Sequence, residues 1–324
     1  MTQQADWQQL LQQSIRNPHQ LIQQLELPNE FINKLLLQPK FPLYVPQPYF
    51  DKMTKNDPND PLLRQILVLK QELIEIEPFS HDPVGDNAAQ KIPGILHKYQ
   101  GRVLLLATGA CAIHCRYCFR QHFEYKGNTL ADPDVINYLK SDTSIHELIL
   151  SGGDPLILSD ERLATFIQKV EGIEHIQRLR IHSRLPIVLP QRMTQKLLDL
   201  LTATRLQVVL IVHTNHSNEI DEQVGQGLQN LVKNGVSVLN QTVLLKQVND
   251  EVHTLAQLSE TLFKYQVLPY YLHLLDKVQG AAHFDVSEQR AIQLVTALRS
   301  QLSGYLVPKL VREIAGKPYK QPVY

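Results

Sequence analysis

Cys111-Ala-Ile-His-Cys115-Arg-Tyr-Cys118 holds all three cysteines of the 324-residue chain. Gaps of three and two residues let one short loop wrap a single centre and aim three thiolates at it. Iron–sulfur clusters are held by thiolates, usually four. A four-iron cluster on this loop keeps one iron without a protein thiolate, open to a substrate or a small chelating cofactor. A zinc site of three Cys with His114 or His122 is the alternative, although structural zinc sites favour two separated ligand pairs. A disulfide with one spare thiol fits less well. The first residues, Met1-Thr-Gln-Gln-Ala-Asp-Trp7, are polar and carry no apolar signal-peptide core, so a cytoplasmic, reducing setting is expected.

Outward from the loop, apolar and β-branched runs stand at residues 103–107, 148–151, 179–182, 208–213, 236–244 and 270–275. Helical stretches separate them at 133–140, 160–170, 194–201, 219–234, 251–265 and 286–302. Such alternation implies a parallel sheet with covering helices. The expected fold is α/β, a partial (β/α)6 TIM-like barrel, with a doubly wound open sheet as its rival. The first 100 residues differ. Short amphipathic, Gln-rich helices are expected at 7–15, 19–25 and 30–37, a further helix at 62–76, and a breaker-rich loop at 78–94. The division reads as a helical extension over 1–100, a barrel over 101–310 and a tail over 311–324.

Each run ends in unusual polar or glycine-containing sequence. These are the cysteine loop, Ser151-Gly152-Gly153-Asp154-Pro155, His182-Ser183-Arg184 with Pro190-Gln191-Arg192, His213-Thr214-Asn215-His216, Asn240-Gln241 and Asp276-Lys277. Barrel enzymes build their sites from the loops at the C-terminal strand ends, which favours the barrel. Gly152 and Gly153, lacking Cβ, allow close backbone approach to a ligand, or form a plain turn. Arg184 and Arg192 are candidate phosphate or carboxylate clamps. His213 and His216 are candidate metal ligands or hydrogen-bonding groups, and Asp276 is expected to face the barrel mouth.

Bulk composition narrows the class. Lys plus Arg equals Asp plus Glu at 32 each, so no basic excess exists to hold a nucleic acid. No apolar run reaches the roughly 20 residues of a membrane span.

These motifs together resemble the radical S-adenosylmethionine (SAM) enzymes, and within them the lysine 2,3-aminomutase family. The resemblance rests on Cys-Arg-Tyr-Cys-Phe-Arg, Ser-Gly-Gly-Asp-Pro-Leu, Ser-Arg-Leu-Pro-x3-Pro-Gln-Arg-Met-Thr, His-x-Asn-His-x-Asn-Glu, Asn-Gln-x-Val-Leu-Leu and Pro-Tyr-Tyr-Leu-His-x-x-Asp, and spans residues 95–324. The branch it is most similar to makes (R)-β-lysine for modification of elongation factor P. The resemblance implies an isomerase with a [4Fe-4S] cluster on Cys111, Cys115 and Cys118, SAM on the open iron, and pyridoxal 5′-phosphate (PLP) on Lys320, with Lys317 as runner-up. Gly152, Gly153, Asp154, His216 and Gln241 are then expected near SAM, and Arg184 and Arg192 near the PLP phosphate. For the L-lysine substrate, Arg120 is expected to hold the carboxylate, and Asp276 and Glu313 the far ammonium. Glu313 stands where better-known members have Asp. A flavodoxin- or ferredoxin-type electron donor is implied. The zinc-binding cysteines of longer clostridial relatives have no counterpart.

Overall fold

Leu104, Leu105 and Leu106 illustrate how the sheet forms: unbroken apolar residues suit a strand buried on both faces, as parallel strands are. The computed structural model describes residues 6–125 and 130–324. The strands are β1 (Gln90–Ile92), β2 (Ile95–Tyr99), β3 (Arg102–Thr108), β4 (Glu147–Gly152), β5 (Arg178–Ser183), β6 (Gln207–His213), β7 (Ser237–Val243), β8 (Leu268–His273), β9 (Lys309–Arg312) and β10 (Gln321–Pro322). They lie side by side in sequence order, with β1 and β10 at the two edges. From β3 to β9 every pairing is parallel. Every helical stretch expected between the strands is present to within a few residues. The architecture is that of a partial, open barrel.

Side-chain caps set the starts of the covering helices. Asp132, Ser159, Thr194, Asp221 and Ser287 each accept a backbone N–H of the first turn, worth about 1 kcal/mol apiece. The helices' inner faces join the sheet in a core that includes Leu139, Phe166, Leu197 and Leu228. A smaller cluster around Leu294, Leu298 and Leu310 fastens the C-terminal strands.

Three expectations need correction. Residues 62–76 do not form one helix: only Pro61–Arg64 is α-helical, and Lys70–Leu73 is a 3-10 turn. Ile66, Leu67 and Val68 are all buried, so no polar helical face exists there, and Leu69 bridges Leu35 instead. Residues 90–99, assigned to the helical extension, form β1 and β2, which pair antiparallel onto β3. Residues 309–312, split between barrel and tail, form a seventh parallel strand whose four residues are too short for a periodicity signal. The extension itself shares the barrel's core, since Leu21, Leu35, Leu62 and Ile66 belong to the same apolar cluster as Val103 and Leu150.

Candidate active site

The chain leaves β3 through an irregularity between Leu106 and Thr108, which frees it to turn into the cysteine loop. Two walls then hold that loop. On the inner side, Gly153 N–H donates to Thr108 O (2.7 Å) and Asp154 N–H to Ala110 O (2.8 Å). The approach requires glycine: a Cβ on Gly153 would sit 2.2 Å from Ala110 O, and one on Gly152 (φ 118°) 2.5 Å from Thr108 O. The glycine pair therefore packs first against the chain's own cysteine loop. Gly153→Ala is expected to displace that loop, lowering stability by about 1–3 kcal/mol and iron content with it; denaturant melts and iron analysis check both.

The outer wall comes from the N-terminal extension. His114 N–H donates to Tyr44 O and Arg116 N–H to Gln65 O. The buried Arg116 guanidinium pairs with Glu72 and donates to Phe41 O. The histidines near the thiols are committed here and at the mouth. His114 Nδ1 lies 2.7 Å from Pro42 O and its ring stacks on Phe41, while His122 Nε2 lies 3.1 Å from Gln279 O and its ring stacks on His81.

Cys111, Cys115 and Cys118 are free and half-buried. Burial pushes the Cys111 thiol well above its ordinary range, with Cys118, Asp154 and Cys115 adding to the rise. Burial and Cys115 push Cys118 to about 11. The three sulfurs are thus close enough to sense one another. Among the described residues, no three His, Cys, Asp or Glu side chains gather on one metal-ion position. Three thiols on one short loop supply the donor set of a cluster with one open iron, while His114 and His122 each already spend one ring nitrogen on a backbone carbonyl.

Arg184 lies beneath the thiols. Its Nη1 is 2.6 Å from Cys115 Sγ and 2.6 Å from Tyr117 OH, and its Nη2 donates to Glu219 (2.8 Å) and Gln65 (2.8 Å). Asp154 accepts from Ser183 Oγ and from the Arg184 and Leu185 N–H groups, locking the β4 and β5 loops together. Arg192, expected as a cofactor clamp, is fully buried. It donates to Leu156 O and Leu158 O and pairs with Asp160. Its Nε and Nη2 thereby brace the β4 loop, while Nη1 is buried without a hydrogen-bond partner among the described residues. Gln241 lies beside His213 in register, and His216 accepts from Asn218 N–H through Nδ1.

A chain of charges links the cysteine loop to the C-terminal tail. Arg120 Nη1 donates to Ser151 Oγ (3.2 Å) and its Nε to Asp86 (2.7 Å). Asp86 pairs with Lys98 (2.6 Å), Lys98 with Glu313 (2.8 Å), and Glu313 with Lys320 (2.7 Å). Lys320 is half-buried and Lys317 exposed. Against the cost of burial, Lys320 and Lys98 hold Glu313 down to about 2. Burial pushes the Asp276 carboxyl up to about 7, with Lys320 pulling the other way and Glu313 adding to the rise.

That rise has a thermodynamic sign. A carboxyl raised above its unfolded value of about 3.9 binds protons more tightly in the fold, so stability falls as pH climbs from about 4 to about 7. Asp276→Asn is expected to remove the penalty, gaining up to roughly 4 kcal/mol above pH 7 and little near pH 4. Urea unfolding at pH 5 and pH 8 measures the difference.

Comparison with known proteins bears on these features. Residues 99–230 match the family described as 4Fe-4S single cluster domain. Over 319 residues the chain is 48% identical to the L-lysine 2,3-aminomutase of Haemophilus influenzae, covering 97% of this chain and 94% of that protein. It is 46% identical to the Escherichia coli L-lysine 2,3-aminomutase over 325 residues, covering 98% and 94%. Against the Clostridium subterminale protein of the same name, identity is 37% over 279 residues, covering 85% and 67%. Among solved structures, Streptococcus suis SuiB bound to precursor peptide SuiA superposes with a TM-score of 0.51 at 13% identity, covering 67% of this chain and 49% of that one. A radical SAM methyltransferase from Sphaerobacter thermophilus gives 0.50 at 15%, covering 67% and 68%. The structural likenesses concern the fold.

A partial barrel with a three-thiol loop at the C-terminal end of its first parallel strand defines an enzyme of the radical SAM, four-iron class. The chain belongs to the L-lysine 2,3-aminomutase family, a family of isomerases that work with a [4Fe-4S] cluster, SAM and PLP. No helix among the described residues is long and apolar enough to cross a membrane.

Proposed function

We propose that the chain moves the amino group of L-lysine from Cα to Cβ, giving β-lysine of R configuration for modification of elongation factor P, with PLP carried on Lys320. The observation that carries the reading is the run of ion pairs from Arg120, two residues past the last cysteine, to Lys320. It brings a guanidinium, two lysines and two carboxylates to one mouth beside Asp276, a charge pattern that suits a zwitterion with a second ammonium.

When bound, the cluster supplies the electron that opens SAM to a radical, and PLP supplies a conjugated ring to stabilise the migrating centre. The protein's task is placement and shielding. Arg120 offers its guanidinium to the substrate carboxylate, a contact that would hold Cα and Cβ in one orientation. Asp276, ionised once a cation lies beside it, takes the far ammonium with Glu313. Gly152, Gly153, Asp154, His216 and Gln241 would line the side of the mouth that takes SAM. Arg184 braces Cys115 through Nη1, with Nη2 committed to Glu219 and Gln65, and so would steady the loop that holds the cluster. A flavodoxin- or ferredoxin-type protein is the proposed electron donor.

Incubation of reduced, oxygen-free protein with SAM, PLP and L-lysine, followed by chiral chromatography, is expected to yield (R)-β-lysine. Recovery of unchanged lysine from protein with a full iron and sulfide complement would overturn the reading.

A further inference from the structure

We propose that Asp86, in the N-terminal extension, is a positioning residue that fixes how Arg120 presents itself to a substrate carboxylate. The inference rests on the reading of Arg120 as the carboxylate clamp and adds the device that aims it.

Asp86 is 1% exposed and starts a single helical turn, Asp86–Ala89, entered from Gly85 at φ 68°. Its backbone is held from behind: Asp82 accepts from the Asp86 N–H (2.8 Å) and the Asn87 N–H (3.1 Å). Gly85 is packed against the tail, where a Cβ would meet Ala315 Cβ at 3.0 Å. The carboxyl group is therefore fixed before any ligand arrives. One oxygen accepts from Arg120 Nε at 2.7 Å and the other pairs with Lys98 at 2.6 Å. Despite the cost of burial, Arg120 and Lys98 hold it below the usual carboxylate range.

Arg120 is consequently pinned at several points. Asp86 takes Nε, Ser151 Oγ takes one N–H of Nη1, and the guanidinium lies over the Phe119 ring at 4.6 Å. A planar guanidinium has five N–H donors in a rigid fork. With Nε and Nη1 engaged by Asp86 and Ser151, Nη2 makes no hydrogen bond among the described residues and is the donor left for a ligand. A carboxylate then docks end-on, with its orientation set by Asp86. Without Asp86, Arg120 is free to turn about its side-chain torsions and to offer its Nε edge instead.

Equilibrium binding to the anaerobically reconstituted protein tests this with two probes, L-lysine and 1,5-diaminopentane, which keeps the far ammonium but lacks the carboxylate. Asp86→Asn is expected to weaken lysine binding by roughly ten- to a hundredfold, the scale of a charge-assisted hydrogen bond, and to leave diaminopentane within about threefold. Asp86→Glu should recover much of the lysine affinity. In an Arg120→Gln background, Asp86→Asn should add no further loss, because the partner it acts through is gone. Equal weakening of both probes, or full additivity with Arg120→Gln, would mean a general structural role and overturn the inference. Unchanged lysine affinity in Asp86→Asn overturns it too. Wild-type protein with no preference for lysine over diaminopentane overturns the clamp reading itself, and the inference falls with it.

Discussion

The Cys118→Ala protein, prepared without oxygen, is expected to lose its cluster and, with it, reductive cleavage of SAM by at least roughly 1,000-fold, about 4 kcal/mol of barrier. All three sulfurs are needed because the chain has no other cysteine to substitute. Burial and the neighbouring thiols hold Cys111 and Cys118 in the protonated form. Binding metal must therefore displace protons, and it succeeds only when several thiolates share the iron. Two remaining sulfurs flank the space but do not close around it. The fold should survive, since the walls of the loop rest on Gly153, Asp154, His114 and Arg116, none of which depends on the Cys118 side chain. Iron and sulfide analysis with electron paramagnetic resonance reads the loss. A Cys118→Ala protein that still cleaves SAM with a chemical reductant would refute the site.

Lys320→Arg should be nearly as damaging, for a different reason. Arginine keeps a cation opposite Glu313, so the charge chain from Asp86 through Lys98 is conserved and the tail remains docked beside β9. What it lacks is a primary amine for PLP attachment. Activity is expected to fall by at least about 1,000-fold, while the melting temperature stays within a few degrees of wild type. Borohydride reduction of cofactor-loaded wild type, followed by peptide mapping, should find the pyridoxyl group on Lys320. The exposed Lys317 should be unlabelled, and Lys317→Ala should remain active. A label on Lys317, or none on PLP-replete protein, would show that the ion pair with Glu313 is only a structural tether.

Parallel strands and their helices were legible because each buries apolar residues at a fixed period, a property of the local chain. The same logic failed where burial came from outside the local pattern. Residues 66–68 are apolar because the extension packs into the common core, not because they form a helix face. Strands β1 and β2 are short and antiparallel, and they exist because the β3 edge is there to pair with. Asp86, Lys98 and Gln65 carried no motif. Each is a common residue type in an ordinary setting, and each gains meaning only from a partner far along the chain: Arg120, Glu313 and Arg184.

By itself the sequence determined the alternating α/β plan, the three-thiol loop and the polar strand ends, since these depend on residue type and spacing over a few residues. Only the tertiary structure decided that the glycine pair clasps the cysteine loop, that Arg192 donates through Nε and Nη2 to carbonyls of the β4 loop, and that the N-terminal extension supplies the outer wall and the carboxylate behind Arg120. Those outcomes turn on hydrogen-bond and charge partners 30 or more residues away. Burial forces such groups to find partners, but no local pattern reveals which partner the fold will bring.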